Sequence, residues 1–122
     1  MQYLRKERVE DQIKKEASLI IQRELKDPRA GFITVTAVEL SSDLKSAKIF
    51  YSVLGDEESK DKSEQALKSA SGFIQRQIGI RMRLRYTPQV IFKYDHSIER
   101  GARIEEILKE IRLKEENGKK KD

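Results

Sequence analysis

The sequence predicts an α+β fold in which helices cover one face of a three-stranded sheet. Three observations carry that reading. Apolar residues recur at spacings of three and four in three long segments, the mark of amphipathic helices. Three short segments rich in Val, Ile, Thr, Phe and Tyr alternate apolar and polar residues, as half-buried strands do. Pro, Gly and Ser-Asp clusters punctuate the junctions between them. The order is helix, strand, strand, bent helix, strand, helix.

In the first helix, Val9, Ile13, Ala17, Ile20, Ile21 and Leu25 share one face, and mixed charges occupy the rest. Asp27-Pro28 ends it, because proline disfavours helical geometry in the residue before it. Gly31 supports a turn. Phe32 to Leu40 is the first strand, and Ala47 to Leu54 the second, with Ala47, Ile49, Tyr51 and Val53 on one side. The short Ser41-Ser42-Asp43 connection predicts an antiparallel pair.

The second helix runs from about Lys60 to Met82, with Ala66, Ala70, Ile74, Ile78 and Met82 repeating every four residues. Gly72 and Gly79 interrupt it. An interior glycine costs roughly 1 kcal/mol relative to alanine, so each position needs a compensating reason. The expectation is a break at Gly72 and a helix end just after Gly79. Arg81, Arg83 and Arg85 then alternate along an extended exit, with their cations on one side.

Thr87-Pro88 leads into the third strand, Val90 to Asp95, with Val90, Phe92 and Tyr94 on one face. Ser97 is placed to cap the last helix, whose buried stripe is expected to be Ile98, Ala102, Ile104, Ile107, Leu108 and Ile111. The predicted domain is 1–113. Residues 114–122, rich in Lys and Glu, are expected to form a flexible basic tail.

Composition narrows function. There is no Cys, which excludes disulfides and thiolate metal sites. No apolar run approaches the ~18 residues of a membrane span, and none resembles a secretion signal, so a cytoplasmic location is expected. Asp95-His96-Ser97 superficially resembles a catalytic trio, but triad members converge in space and chain neighbours project apart. No glycine-rich phosphate loop is present. These features predict a non-enzyme without metal or cofactor.

The 30 residues from Gln65 to Tyr94 contain no acid and six cations: Lys68, Arg76, Arg81, Arg83, Arg85 and Lys93. The chain holds 26 basic and 21 acidic residues, so outside this window 20 basic residues (26 less six) face all 21 acids. The net charge of +5 therefore resides in one segment. Charge runs are usually solvated faces, but the missing acids favour a seat for a polyanion, with RNA the leading candidate. Arginine suits phosphate and base contacts through its planar fork. Ala70-Ser71-Gly72 fits two readings equally: close packing within the fold, or a sharp turn that admits nucleic-acid backbone.

Several pieces, in order, carry a family resemblance: Lys26-Asp27-Pro28-Arg29, Gly31-Phe32-Ile33-Thr34-Val35-Thr36, Leu40-Ser41-Ser42-Asp43-Leu44, Ala47-Lys48-Ile49, Val53-Leu54-Gly55, Ala70-Ser71-Gly72-Phe73-Ile74, Leu84-Arg85, Pro88 and Phe92-Lys93-Tyr94-Asp95. Over about Tyr3 to Leu113 the chain resembles the bacterial ribosome-binding factor A family. The resemblance implies a type II KH-like fold, α-β-β-α-α-β with a further helix. Ordinary KH domains clamp nucleic-acid backbone with a Gly-x-x-Gly loop. This chain has none, and Ala70, Ser71 and Gly72 match the Ala-x-Gly kink that the family places there. The resemblance further implies binding to the small (30S) ribosomal subunit and a part in late 16S rRNA maturation, including 5′-end processing. It also implies a link to cold adaptation, release by an assembly GTPase, and a monomer.

The expected RNA site is thus Lys68, Ala70, Ser71, Gly72, Arg76, Arg81, Arg83, Arg85 and Lys93, forming one continuous cationic surface. Two alternatives are a general single-stranded RNA module and a protein-interaction domain that uses its sheet face to bind an acidic partner.

Overall fold

The computed structural model describes the backbone of residues 2–120 and the side chains of residues 5–97 and 105–116. Its elements are α1 (Gln2–Glu24), β1 (Phe32–Leu40), β2 (Ser46–Leu54), α2 (Glu57–Arg81), β3 (Gln89–Tyr94) and α3 (Ser97–Lys120). The sheet order is β1-β2-β3, with β1 and β2 antiparallel and β2 and β3 parallel. A parallel neighbour needs a crossover, and α2 supplies it.

One sheet face is buried by helices and the other is open. Ala47, Ile49, Tyr51 and Val53 point inward from β2 and meet Ile33, Val35, Leu40 and Val90 from its neighbours. Onto them pack Ile13, Ala17, Ile20 and Ile21 of α1, and Leu67, Ile74 and Ile78 of α2. Both helices thus bury the stripes that their periodicity marks. The open face exposes Phe32 and Leu54, cross-strand partners that are each 78% exposed.

Side chains pin the helices to the strands. The Leu40 N–H donates to Glu10 Oε2 at 2.8 Å, and the Val90 N–H to Gln75 Oε1 at 3.0 Å. The Gly31 N–H donates at 3.0 Å to the hydroxyl of the fully buried Ser63. At its start α2 is capped by Asp56, whose Oδ1 accepts the Ser59 N–H at 2.8 Å.

A bulge in β1 inserts Thr36 between residues paired with Tyr51 and Phe50. Its hydroxyl donates to Asp95 Oδ2 at 2.6 Å, while the Ser97 N–H donates to Asp95 Oδ1 at 2.9 Å. These bonds hold the Asp95 carboxyl down at about 2, the contacts with Ser97 contributing most and Thr36 next. The acceptor at the start of α3 is therefore Asp95 rather than Ser97, which is already the first helical residue.

Other expectations about the helices are corrected. α2 is continuous from Glu57 to Arg81, with no break in its helical backbone at Gly72. Ile107, Leu108 and Ile111 of α3 are 47–48% exposed rather than buried. The expected stripe residues Ile98, Ala102 and Ile104 lie outside the described side chains. α3 also continues past Lys114 to Lys120, so no change of secondary structure marks the boundary expected after residue 113.

Candidate nucleic-acid interface

The outer surface of α2 carries two strips, set by which residues the helical period leaves outside. Ser69, Gly72, Phe73, Arg76 and Ile80 are exposed at helical spacing along one of them. Glu57, Asp61, Glu64 and Lys68 recur along the other. A side chain on Gly72 would meet nothing within 4 Å, so the fold itself does not require glycine there. The strip around Arg76 carries no carboxylate.

α2 ends in a Schellman motif. The Leu84 N–H donates to the Gly79 carbonyl at 3.0 Å and the Arg83 N–H to the Ile80 carbonyl at 3.2 Å. Arg83 takes the left-handed position, φ 52°, that glycine usually fills. The exit is consequently a tight turn, not the extended segment that alternation in sequence suggested. Arg83, Arg85 and Tyr86 are all exposed on this connector. The Arg85 guanidinium lies 5.6 Å from the centre of the Tyr86 ring. Arg76 precedes Arg83 by seven residues, roughly 10 Å of helix.

The remaining predicted residues lie elsewhere. Arg81 projects from α2 toward α1, where Glu24 and Glu16 take its guanidinium, the latter at 3.8 Å. Its charge is neutralised by residues far away in sequence, which corrects its assignment to the open cationic surface. Lys93 alternates with the inward-facing Phe92 and Tyr94, so it belongs to the open sheet face, on the side away from the helices. Ala70 is half-buried and packs against the core beside Leu25 and Pro28. Ser71 turns its hydroxyl back to the Lys68 carbonyl at 3.0 Å. Lys68 is paired with Glu64 at 3.3 Å, an exposed contact worth only a few tenths of a kcal/mol and easily exchanged for another anion. The single continuous surface thus contracts to Arg76, Arg83 and Arg85, with Gly72 between Arg76 and Lys68.

Sequence reasoning missed Arg29. Asp27 grips it through Nε–Oδ1 at 3.0 Å and Nη2–Oδ2 at 2.6 Å, and Nη2 also donates to Ser69 Oγ at 3.2 Å. That fork holds the Asp27 carboxyl down at about 2, chiefly through the Arg29 side chain. It fixes an exposed guanidinium beside the strip that carries Gly72 and Arg76. The adjacent acid hid this residue from a search for one-signed charge. The signal was the Asp-Pro-Arg spacing, which suits a side chain folding back over a turn.

The profile of the Ribosome-binding factor A family matches residues 5–108 of this chain. The chain belongs to the ribosome-binding factor A family. A Ribosome-binding factor A of Natranaerobius thermophilus is 48% identical over 117 residues, covering 96% of this chain and 89% of that one. Among solved structures, a Thermotoga maritima protein determined in solution by NMR superposes with a TM-score of 0.68 at 35% identity, over 78% of this chain and 91% of its own. Homology-built coordinates of Thermus thermophilus ribosome binding factor A, fitted into the cryo-EM map of a 30S complex, superpose with a TM-score of 0.63 at 28% identity, over 73% and 93% of the two chains. The expected family and α+β architecture therefore hold. Among the described residues no helix is long and apolar enough to cross a membrane.

Proposed function

We propose that this chain is a non-catalytic factor that binds the small (30S) ribosomal subunit through rRNA phosphates, using the C-terminal half of α2 and the connector to β3. The observation that carries the reading is the carboxylate-free strip on which Gly72 and Arg76 lead to Arg83 and Arg85, all exposed. Phosphate oxygens match the arginine fork, and a bare backbone at Gly72 admits a strand closer than any side chain would. The structural neighbour fitted into a 30S complex supports the same partner.

In this reading the factor acts in the cytoplasm as a monomer. It assists late 16S rRNA maturation, including 5′-end processing and growth in the cold, and an assembly GTPase releases it. Co-sedimentation with 30S subunits tests the site. Arg76→Glu with Arg83→Glu should abolish pelleting while the circular dichroism spectrum stays unchanged, and undiminished pelleting would remove these residues from the interface.

A second reading is favoured by the exposed Phe32–Leu54 pair on the open sheet face, which also carries Lys48 and Lys93 farther along its strands. There the chain docks on an acidic protein. Nuclease treatment of a pull-down separates the two, because only an RNA-dependent partner is lost.

A further inference from the structure

A shallow groove of about 410 Å³ lies between the turn after α1 and the middle of α2, lined by Leu25, Lys26, Asp27, Pro28, Ser69 and Ala70. Leu25, Pro28 and Ala70 give it apolar walls. It is continuous with the strip that carries Gly72 and Arg76, because Ser69 lies one helical turn before Gly72 on the same side of α2. A nucleic-acid strand that follows the strip past Gly72 reaches this groove next.

The Arg29 guanidinium stands at the groove, bonded to two of its lining residues. Asp27 takes Nε and Nη2, and Ser69 Oγ accepts from Nη2 as well. The Asp27 carboxylate also accepts the Arg29 backbone N–H at 2.9 Å, which fixes where the side chain starts. A long exposed side chain ordinarily keeps its rotamer freedom, whereas this one is held along one edge. Among the described residues nothing accepts from Nη1. Its two N–H donors therefore remain available in a fixed plane, on a side chain that is 41% exposed.

The chemistry of the guest follows from the charge. Arg29 and Asp27 together are neutral, so the pair offers a phosphate little net attraction, unlike Arg76 and Arg83. It offers directed donors beside an apolar surface. A nucleobase fits that combination, with a flat ring to lie against Leu25, Pro28 and Ala70 and acceptors at its edge. Guanine suits a group that only donates, since its O6 and N7 both accept, whereas adenine sets an amino donor beside N7.

We propose that this groove seats a guanine base of single-stranded RNA, whose O6 and N7 edge accepts from Arg29 Nη1, with Asp27 and Ser69 as positioning residues. The inference rests on the RNA reading of the α2 strip and adds base selection to it: the arginines of α2 and its connector hold phosphates, and Arg29 reads one base.

The test is binding of the full chain to two fluorescein-labelled RNA heptamers, one all adenosine and one with guanosine at its centre, followed by anisotropy across a salt series. The guanosine heptamer should bind about fivefold or more tightly. Asp27→Asn with Arg29→Gln removes the fork without changing net charge, and it should abolish that preference while leaving the salt slope unaltered. Arg29→Lys keeps the charge but not the planar fork, and it should abolish the preference too. Arg76→Glu should weaken both heptamers alike, keep the preference and lower the slope. The proposal is overturned by equal binding or no binding of the two heptamers, or by a preference that survives either change at Arg29. It is also overturned by a slope reduced by about 0.7 in the charge-neutral double variant, which would make Arg29 a phosphate contact. Failure of the underlying RNA reading looks different, because Arg76→Glu then leaves both affinities unchanged.

Discussion

Thr87 packs against the bare backbone of Gly79: a Cβ at residue 79 would fall 2.2 Å from Thr87 Oγ1 and 3.3 Å from its Cβ and Cγ2. The connector folds back on the last turn of α2 because that side chain is missing. This contact fixes where Arg83 and Arg85 emerge. Gly79→Ala should cost about 1–3 kcal/mol by overpacking. Thr87→Ala in the same chain should recover most of it, since it removes Oγ1 and Cγ2. Urea denaturation of the two single variants and the double variant measures the coupling.

Gly72 is the opposite case. It lies in the exposed middle of α2 with open space around it. Gly72→Ala should therefore stabilise the fold by roughly 1 kcal/mol through helix propensity. If the bare backbone serves the approach of RNA, the same change weakens 30S binding. Higher stability with unaltered pelleting would leave Gly72 without the proposed role.

Arg83 occupies a left-handed position that disfavours side chains by about 1–2 kcal/mol. Arg83→Gly should raise the melting temperature and lower affinity for the subunit. Arg81→Met should do the reverse, costing about 1 kcal/mol by stranding Glu24 and Glu16 while leaving binding intact. Thermal melts paired with sedimentation of both variants check the contrast.

Acid stability follows from two carboxylates. Asp27 and Asp95 are both lowered from 3.8 to about 2 in the folded chain. A depressed carboxylate stabilises above its unfolded value, and the gain disappears as pH falls through the folded value. Stability should thus decline between about pH 4 and pH 2. Asp95→Asn should lower stability at neutral pH and flatten that decline, as urea midpoints measured across the range would show.

The fold was readable where the information was local. Apolar period three-to-four in residues 9–25 and alternation in residues 47–54 name the buried faces of α1 and β2, because each depends only on chain geometry. Gly79 was rightly placed just before the end of α2, although its contact with Thr87 could not be named. The failures are of three physical kinds. Arg81 finds Glu16 and Glu24 far away along the chain, a pairing that no window on the sequence contains. Arg83 adopts a conformation that residue type argues against, so the turn after α2 passed for an extended exit. Ile107, Leu108 and Ile111 have a helical period yet are about half exposed among the described residues, and period alone does not say what covers a stripe. The charge window pointed to the end of α2 where Arg76, Arg83 and Arg85 lie exposed, but it merged both sides of the molecule, since Lys93 lies across the sheet.

The central claim is that Arg76, Arg83 and Arg85 neutralise rRNA phosphates. The salt dependence of 30S binding tests it most directly, comparing the native chain with Arg76→Gln/Arg83→Gln/Arg85→Gln. Each lost phosphate contact should reduce the slope of log K against log salt by about 0.7–0.9, so the triple variant should lose about 2–3 from it, together with most of its affinity at low salt. An unchanged slope and affinity in a folded triple variant would contradict the account.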